Sequence, residues 1–72
     1  MSTLIIFYSK DRKEILRRHS TLVPRVGDVV TFGIDSNVLS HEIGIKYIVQ
    51  EQCYDYSDDK VVADIYVDIQ NK

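Results

Sequence analysis

The chain has 72 residues, 44% of them hydrophobic, and a formal net charge of −2. This length is enough for one hydrophobic core and predicts a single domain spanning residues 1–72. A lone cysteine, Cys53, excludes a disulfide framework, and the longest apolar run, residues 4–8, is far shorter than the roughly 20 residues that span a bilayer. We therefore expect a soluble β-rich protein with no membrane partner.

The charges are divided unevenly along the chain. Residues 1–25 carry six basic and two acidic side chains, a net charge of +4, whereas residues 26–72 carry three basic and nine acidic ones, a net charge of −6. Two such halves either neutralise each other inside one small barrel or leave one basic and one acidic face that steers partners. Neutralisation within the barrel is the simpler interpretation.

The N-terminal third predicts two strands. Residues 3–8 are β-branched and aromatic, and they are apolar on both faces of a strand, which indicates a central position in a sheet or a second buried contact. Residues 10–19 are compatible with a short helix or with the return strand of a hairpin that turns at residues 9–12. The helix would have only Ile15 and Leu16 as an apolar stripe, so we favour the strand.

The middle of the chain predicts a short strand and a long loop. Pro24 and the pair Gly27-Asp28 interrupt the chain, and residues 29–32 then have a strand composition that ends at Gly33. Residues 34–44 are typical of a long loop, although they include apolar side chains at Val38, Leu39 and Ile43. Those side chains need cover from the barrel or from a partner.

The C-terminal part predicts a hairpin. Residues 61–69 follow a period of two, in which every odd position is apolar and the even positions are Val62, Asp64, Tyr66 and Asp68; this is typical of a strand with one buried face. Residues 45–54 predict its antiparallel neighbour, and residues 55–59 have the composition of the connection. The alternation fails at Glu51, so we expect a bulge near Gln50 and Glu51. The predicted core consists of Val30, Phe32, Val49, Val61, Ile65 and Val67.

One run of residues resembles a known architecture. The segment Val23–Val30, followed by residues 47–49 and the alternating terminal strand, resembles the compact SH3-like β-barrels found among small bacterial and phage proteins. The resemblance implies an all-β fold, a five-stranded antiparallel SH3-like barrel or curled sheet. It also implies a class of roles, that of phage accessory or anti-defence proteins. It implies no active site, because such a fold hosts many functions. The lone thiol of Cys53 and the lack of a basic stretch before a long apolar region in residues 1–10 separately lead us to expect the bacterial or host-cell cytosol.

The residues that carry chemistry do not form a motif. His19 and His41 are 22 positions apart and neither has a metal-ligand spacing with Cys53, so an exposed histidine and a strand thiol are the simpler interpretation. The acid pair Asp58-Asp59 is more typical of a solvated turn than of a cation site or general acid–base pair. The glycines are scattered and make no phosphate-binding loop. We expect no catalytic residue, no metal and no cofactor, and hence a protein that is not an enzyme.

Two sets of residues suggest binding surfaces instead. The first interleaves tyrosine with acid and is expected to form one acidic, tyrosine-bearing face that binds a basic protein partner. It comprises Tyr54, Asp55, Tyr56, Asp58, Asp59, Asp64, Tyr66 and Asp68. The second is a basic set that suits a small anionic ligand or nucleic acid, although the net acidic chain argues against nucleic acid. It comprises Arg12, Lys13, Arg17, Arg18 and Arg25.

The hypotheses that result belong to different classes. The first is a non-enzymatic accessory or inhibitor protein that binds a protein through the tyrosine and acid face. The alternatives are a binder of a small anionic ligand or nucleic acid through the arginines, and a structural subunit of an assembly. Because a chain this short buries little apolar surface, we also expect a homo-oligomer, in the form of a two-fold dimer.

Overall fold

The computed structural model describes residues 3–70 and forms one five-stranded sheet that curls into a half-barrel. The strands are β1 (Thr3–Tyr8), β2 (Glu14–Ser20), β3 (Val29–Val30), β4 (Tyr47–Tyr56) and β5 (Val61–Ile69), and a short 3₁₀ turn covers Ser40–Glu42. Their order across the sheet is β2-β1-β5-β4-β3. The all-β fold and the curled five-stranded sheet are therefore confirmed, whereas the helix over residues 10–19 is excluded by β2.

One pair of strands differs from the expected antiparallel arrangement. β1 and β5 run parallel, with Ile5 opposite Ala63 and Phe7 opposite Ile65, while every other neighbouring pair is antiparallel. The sheet is thus mixed, because β1 enters it between its hairpin partner β2 and the C-terminal strand. β1 is thus central in the sheet, as expected, and both of its faces bury an apolar side chain, Ile5 on the inner face and Ile6 on the outer face.

The sheet has an inner face, which covers the core, and an outer face. The core residues come from four strands and from the loop after β3, and they are Ile5, Ile15, Phe32, Val38, Tyr47, Val49, Ala63, Ile65 and Val67. Four of the six predicted core residues are buried, and Val30 and Val61 are half-buried. The alternation of β5 was thus assigned to the correct face.

Two bulges adjust the hairpins. In β4, Val49 pairs with Val67 and Glu51 with Tyr66, so Gln50 is the extra residue, as predicted. In the first hairpin the shift lies opposite Phe7 and Tyr8, and it allows Ile15 to enter the core. A bulge of this kind turns two successive side chains and increases the local twist, which helps the sheet to curl.

The segment after β3 closes one side of the half-barrel. Phe32 makes an isolated bridge with Ile43 rather than extending β3, so the predicted strand over 29–32 is shorter than expected. Its ring contacts those of Phe7 and Tyr47, with centroids 5.1 Å and 5.4 Å away. Val38 is buried in the same core, whereas Leu39 remains exposed. The loop therefore covers part of its own apolar surface. Within residues 3–70, no helix has the length and apolar character of a membrane span.

Candidate functional site

The tyrosine and acid residues are divided between the two faces of the sheet. Tyr54 pairs with Ala63 and Tyr56 with Val61, so both tyrosines lie on the inner face, beyond the end of the core. Asp55 pairs with Val62 and lies on the outer face, since successive strand residues point to opposite sides. The expectation of a single face is corrected here, because β4 continues to Tyr56 and imposes its alternation on this segment.

The inner-face tyrosines form a defined group at one end of the half-barrel. The rings of Tyr54 and Tyr56 lie 6.3 Å apart, and the exposed fractions are 42% and 78%. The Gln52 amide donates to the Tyr54 hydroxyl at 3.1 Å and to the Pro24 carbonyl at 2.7 Å, so Tyr54 is held while Tyr56 is free. The hairpin tip that follows carries Asp58 and Asp59. We call these four residues, Tyr54, Tyr56, Asp58 and Asp59, the tyrosine rim.

The tip itself is tied to the strands by a compact turn. The Ser57 backbone N–H donates to the Lys60 carbonyl at 3.1 Å, and the Ser57 hydroxyl donates to the same oxygen at 3.3 Å. All four residues of the tip are exposed. Two carboxylates are therefore presented to solvent beside the exposed Tyr56 ring.

The outer face holds a separate cluster around Tyr66. Its ring stacks on that of Tyr8 with centroids 5.1 Å apart, and the Arg12 guanidinium lies 4.9 Å from the Tyr66 ring centre. The stacked rings and the guanidinium attach the first hairpin turn to β5, so Tyr66 is half-buried in an intramolecular contact. Burial and the nearby Asp64 raise the pKa of Tyr8. These contacts assign Tyr66 to the sheet rather than to an open surface.

The outer-face acids influence one another. Burial raises the pKa of Asp64, and the neighbouring Asp55 carboxylate raises it further. Asp68 is half-buried, and one of its carboxylate oxygens accepts a hydrogen bond from the Ile69 N–H at 2.8 Å. Asp64 and Asp68 are thus partly enclosed by the sheet, whereas Asp55 and Glu51 are exposed acids of this face.

The basic residues do not come together as one patch. Arg17 donates two hydrogen bonds to Glu14, at 2.6 and 2.8 Å, and this contact lowers the pKa of Glu14 and raises that of Arg17. Arg18 forms an ion pair with Asp35. With Arg12 over Tyr66, three of the five basic residues have intramolecular partners. The remaining two, Lys13 and Arg25, are exposed in different segments, the first turn and the loop before β3.

The histidines and the cysteine are also apart. His19 lies on β2 and Cys53 on β4, and these strands are separated by β1 and β5, a spacing of about 14 Å from strand geometry. His41 belongs to the 3₁₀ turn of the long loop. Within residues 3–70 no group of three His, Cys, Asp or Glu side chains is placed to hold a metal ion.

A cavity that the sequence did not suggest lies at the other end of the half-barrel. Its volume is about 660 Å³, and it is an open-sided cleft bordered by the first hairpin turn, the long loop, the start of β4 and the end of β5. Ile45, Tyr47 and Val67 line it. Its charged residues are two lysines and four acids, namely Lys10, Lys13, Asp11, Glu14, Glu42 and Asp68. Burial and the nearby Glu42 raise the pKa of Tyr47. Because three distant segments build this cavity, no local sequence pattern signals it.

No protein-family model matches this chain, and no similar curated protein or solved structure was found. The resemblance to SH3-like barrels is accordingly limited to the curled all-β architecture.

Proposed function

We propose that the protein is a non-enzymatic binding module whose tyrosine rim docks on a basic surface of a partner protein. The observation that carries this proposal is the exposed Tyr54–Tyr56 pair beside the carboxylates of the hairpin tip. Residues 51–59 contain four acids and no Lys or Arg, so the local charge is strongly negative. Electrostatic complementarity of this kind selects a basic partner and accelerates its association.

Tyrosine is suited to such a contact for physical reasons. Its ring provides a large contact area at the cost of ordering only two torsion angles, and its hydroxyl supplies a hydrogen bond. Tyr54 is already ordered by Gln52, which lowers the entropy cost of binding, and the 78% exposed Tyr56 offers the larger free surface. The exposed Leu22, two residues after β2, adds apolar surface at the same end of the sheet.

The proposal includes a role as an accessory or inhibitor protein of a bacterium or its phage. Support for it comes from the small size and the barrel-like curvature, both of which suit a protein that acts by covering a surface of another. An acidic rim is also suited to occluding a nucleic-acid-binding surface, since it presents the same sign of charge as phosphate.

Affinity capture from bacterial lysate tests this function. The bait is the wild type or the variant Tyr56→Ala/Asp58→Lys, and Asp11→Lys serves as a control for the reversed charge, because Asp11 is exposed in the first hairpin turn and lies outside the rim. We expect a partner that the wild type and the control retain and that the rim variant loses. Identical partner lists for all three baits would refute a role for the rim.

A second candidate function is favoured by the cavity. Its volume lies within the range of about 300–1,000 Å³ that is usual for small-molecule sites, and its lining combines apolar side chains with more carboxylates than ammonium groups. A small amphipathic cation fits this description, with its apolar part against Ile45 and Val67. The expected anion site on the arginines gains no support, because Arg12, Arg17 and Arg18 have intramolecular partners.

Titration with octylammonium tests the cavity. We expect saturable amide shifts at residues of the lining, with the affinity weakened several-fold by Asp11→Lys/Glu42→Lys and unchanged by Asp58→Lys/Asp59→Lys at the hairpin tip. Linear, unsaturable shifts, or equal affinity in both variants, would remove this candidate.

A further inference from the structure

One edge of the sheet is open over half of its longest strand. β3 pairs only with Tyr47 and Ile48 of β4, and the last backbone bonds on that side join Val49 to Gly27 and Asp28, both at 2.9 Å. From Glu51 to Tyr56, β4 has β5 as its one strand neighbour among the described residues. The Pro24 carbonyl, which accepts from the Gln52 amide, flanks the first two residues of this stretch. Residues 51–56 present a strand edge about 20 Å long that has no backbone partner among residues 3–70 on this side. We call this segment the open edge.

The open edge differs in chemistry on its two sides. On the inner face it is flanked by Tyr54 and Tyr56, and Val26, next to the Gly27 that bonds β4, is 60% exposed at its beginning. On the outer face it is flanked by Glu51 and Asp55, which pair with Tyr66 and Val62. A strand added here would find aromatic and aliphatic side chains on one side and carboxylates on the other.

We propose that the open edge binds an extended segment of the partner protein by β-strand addition, and that this segment alternates apolar with Lys or Arg side chains. The proposal rests on the proposed function and specifies its mode. Main-chain hydrogen bonds to residues 51–56 hold the segment, its apolar side chains pack on Tyr54 and Tyr56, and its basic side chains face Glu51 and Asp55.

Charge determines which strand the edge accepts. If two copies of this chain paired their open edges antiparallel about Cys53, Glu51 of one copy would face Asp55 of the other. Like charges directly opposite each other destabilise a strand pair, so the edge disfavours its own copy in this register. A basic strand meets no such repulsion, and the same two carboxylates that oppose self-association select it.

The other free edge of the sheet has a different character. β2 carries Arg17 and Arg18, and both guanidiniums have intramolecular partners, Glu14 and Asp35. Charged side chains fixed along an edge are a common protection against strand addition. The observations therefore favour β4 over β2 as the receiving edge.

The test titrates ¹⁵N-labelled protein with an acetylated and amidated eight-residue peptide of alternating lysine and valine. A second peptide has the same sequence with its four central backbone nitrogens methylated, which keeps the charges and blocks the strand's hydrogen bonds. We expect the first peptide to shift the amides of residues 51–56 and the second to bind at least tenfold more weakly. We also expect Asp55→Lys to lower the affinity for the first peptide several-fold. Asp11 is an exposed acid in the first hairpin turn, and Asp11→Lys is expected to leave that affinity unchanged.

The contrary outcomes separate this mode from the proposed function. Equal binding of both peptides would overturn strand addition while leaving the tyrosine rim as a docking surface. If neither peptide shifts the amide signals of residues 51–56, strand addition is overturned as well, even if a captured protein still binds through Tyr56.

Discussion

Tyr54 and Asp55 are consecutive residues of β4, and their side chains point to opposite faces of the sheet. The tyrosine belongs with the exposed Tyr56 on the inner face, and the acid belongs with Asp64 on the outer face. Binding through the rim and binding through the outer face can therefore be distinguished by separate substitutions.

We expect Tyr56→Ala to weaken partner binding at least tenfold, which corresponds to about 1.4 kcal/mol or more, as for a partly buried interface tyrosine. Titration calorimetry with the captured partner measures this, and an unchanged affinity would contradict it.

The core supports a prediction with a matched control on the same strand. Ile65 is fully buried and Ile69 is 50% exposed, and both are isoleucines on the inner face of β5. We expect Ile65→Ala to lower the free energy of unfolding by about 2 to 5 kcal/mol, because it removes buried methyl groups and leaves a cavity. Ile69→Ala is expected to cost less than about 1 kcal/mol. Urea denaturation of both variants checks this, and equal losses would contradict the assigned face.

The first hairpin turn stores backbone strain. Arg12 has φ of 64°, a left-handed conformation that glycine adopts without cost, and its guanidinium lies over the Tyr66 ring. Arg12→Ala loses the cation–π contact and keeps the strain, whereas Arg12→Gly loses both. We therefore expect Arg12→Gly to be more stable than Arg12→Ala by about 1 kcal/mol. Thermal unfolding measures the difference, and a less stable glycine variant would contradict the strain.

The raised pKa of Asp64 predicts a pH dependence. In the unfolded chain this carboxyl has its ordinary pKa of 3.8, so the folded protein binds the proton more tightly and ionisation opposes folding. Asp64→Asn is expected to raise the stability at pH 7, and the gain should shrink as the pH falls through the raised pKa and vanish below the ordinary one. Asp58→Asn at the hairpin tip controls for the loss of one negative charge. A stability gain of Asp64→Asn that persists unchanged at pH 3 would contradict the raised pKa of Asp64.

Self-association is a further prediction. Ile34 and Leu39 in the long loop are 93% and 59% exposed, and we propose that a two-fold dimer covers them. Sedimentation over a wide concentration range should show a mass above 8.4 kDa that falls to the monomer value in Ile34→Ser/Leu39→Ser. Leu22→Ser, an exposed leucine at the tyrosine end, controls for lost apolar surface. A constant monomer mass for the wild type would end the dimer proposal.

The parts of the fold that follow local rules were predictable from the sequence. The alternation of residues 61–69 placed Ile65 and Val67 in the core, and its failure at Glu51 located the bulge. The parallel pairing of β1 with β5 was not predictable, because nothing local specifies which strand a chain terminus joins. The placement of Tyr54 and Asp55 on opposite faces was not predictable, because residues 55–59 have the composition of a connection, whereas β4 continues to Tyr56.

The measurement that tests the central proposal most directly is backbone amide hydrogen exchange on the protein, free and bound to its purified partner. The account predicts slower exchange on binding at residues 51–60, with β2, Glu14–Ser20, unchanged. Protection confined to β2 or to the long loop, with residues 51–60 exchanging as in the free protein, would contradict it.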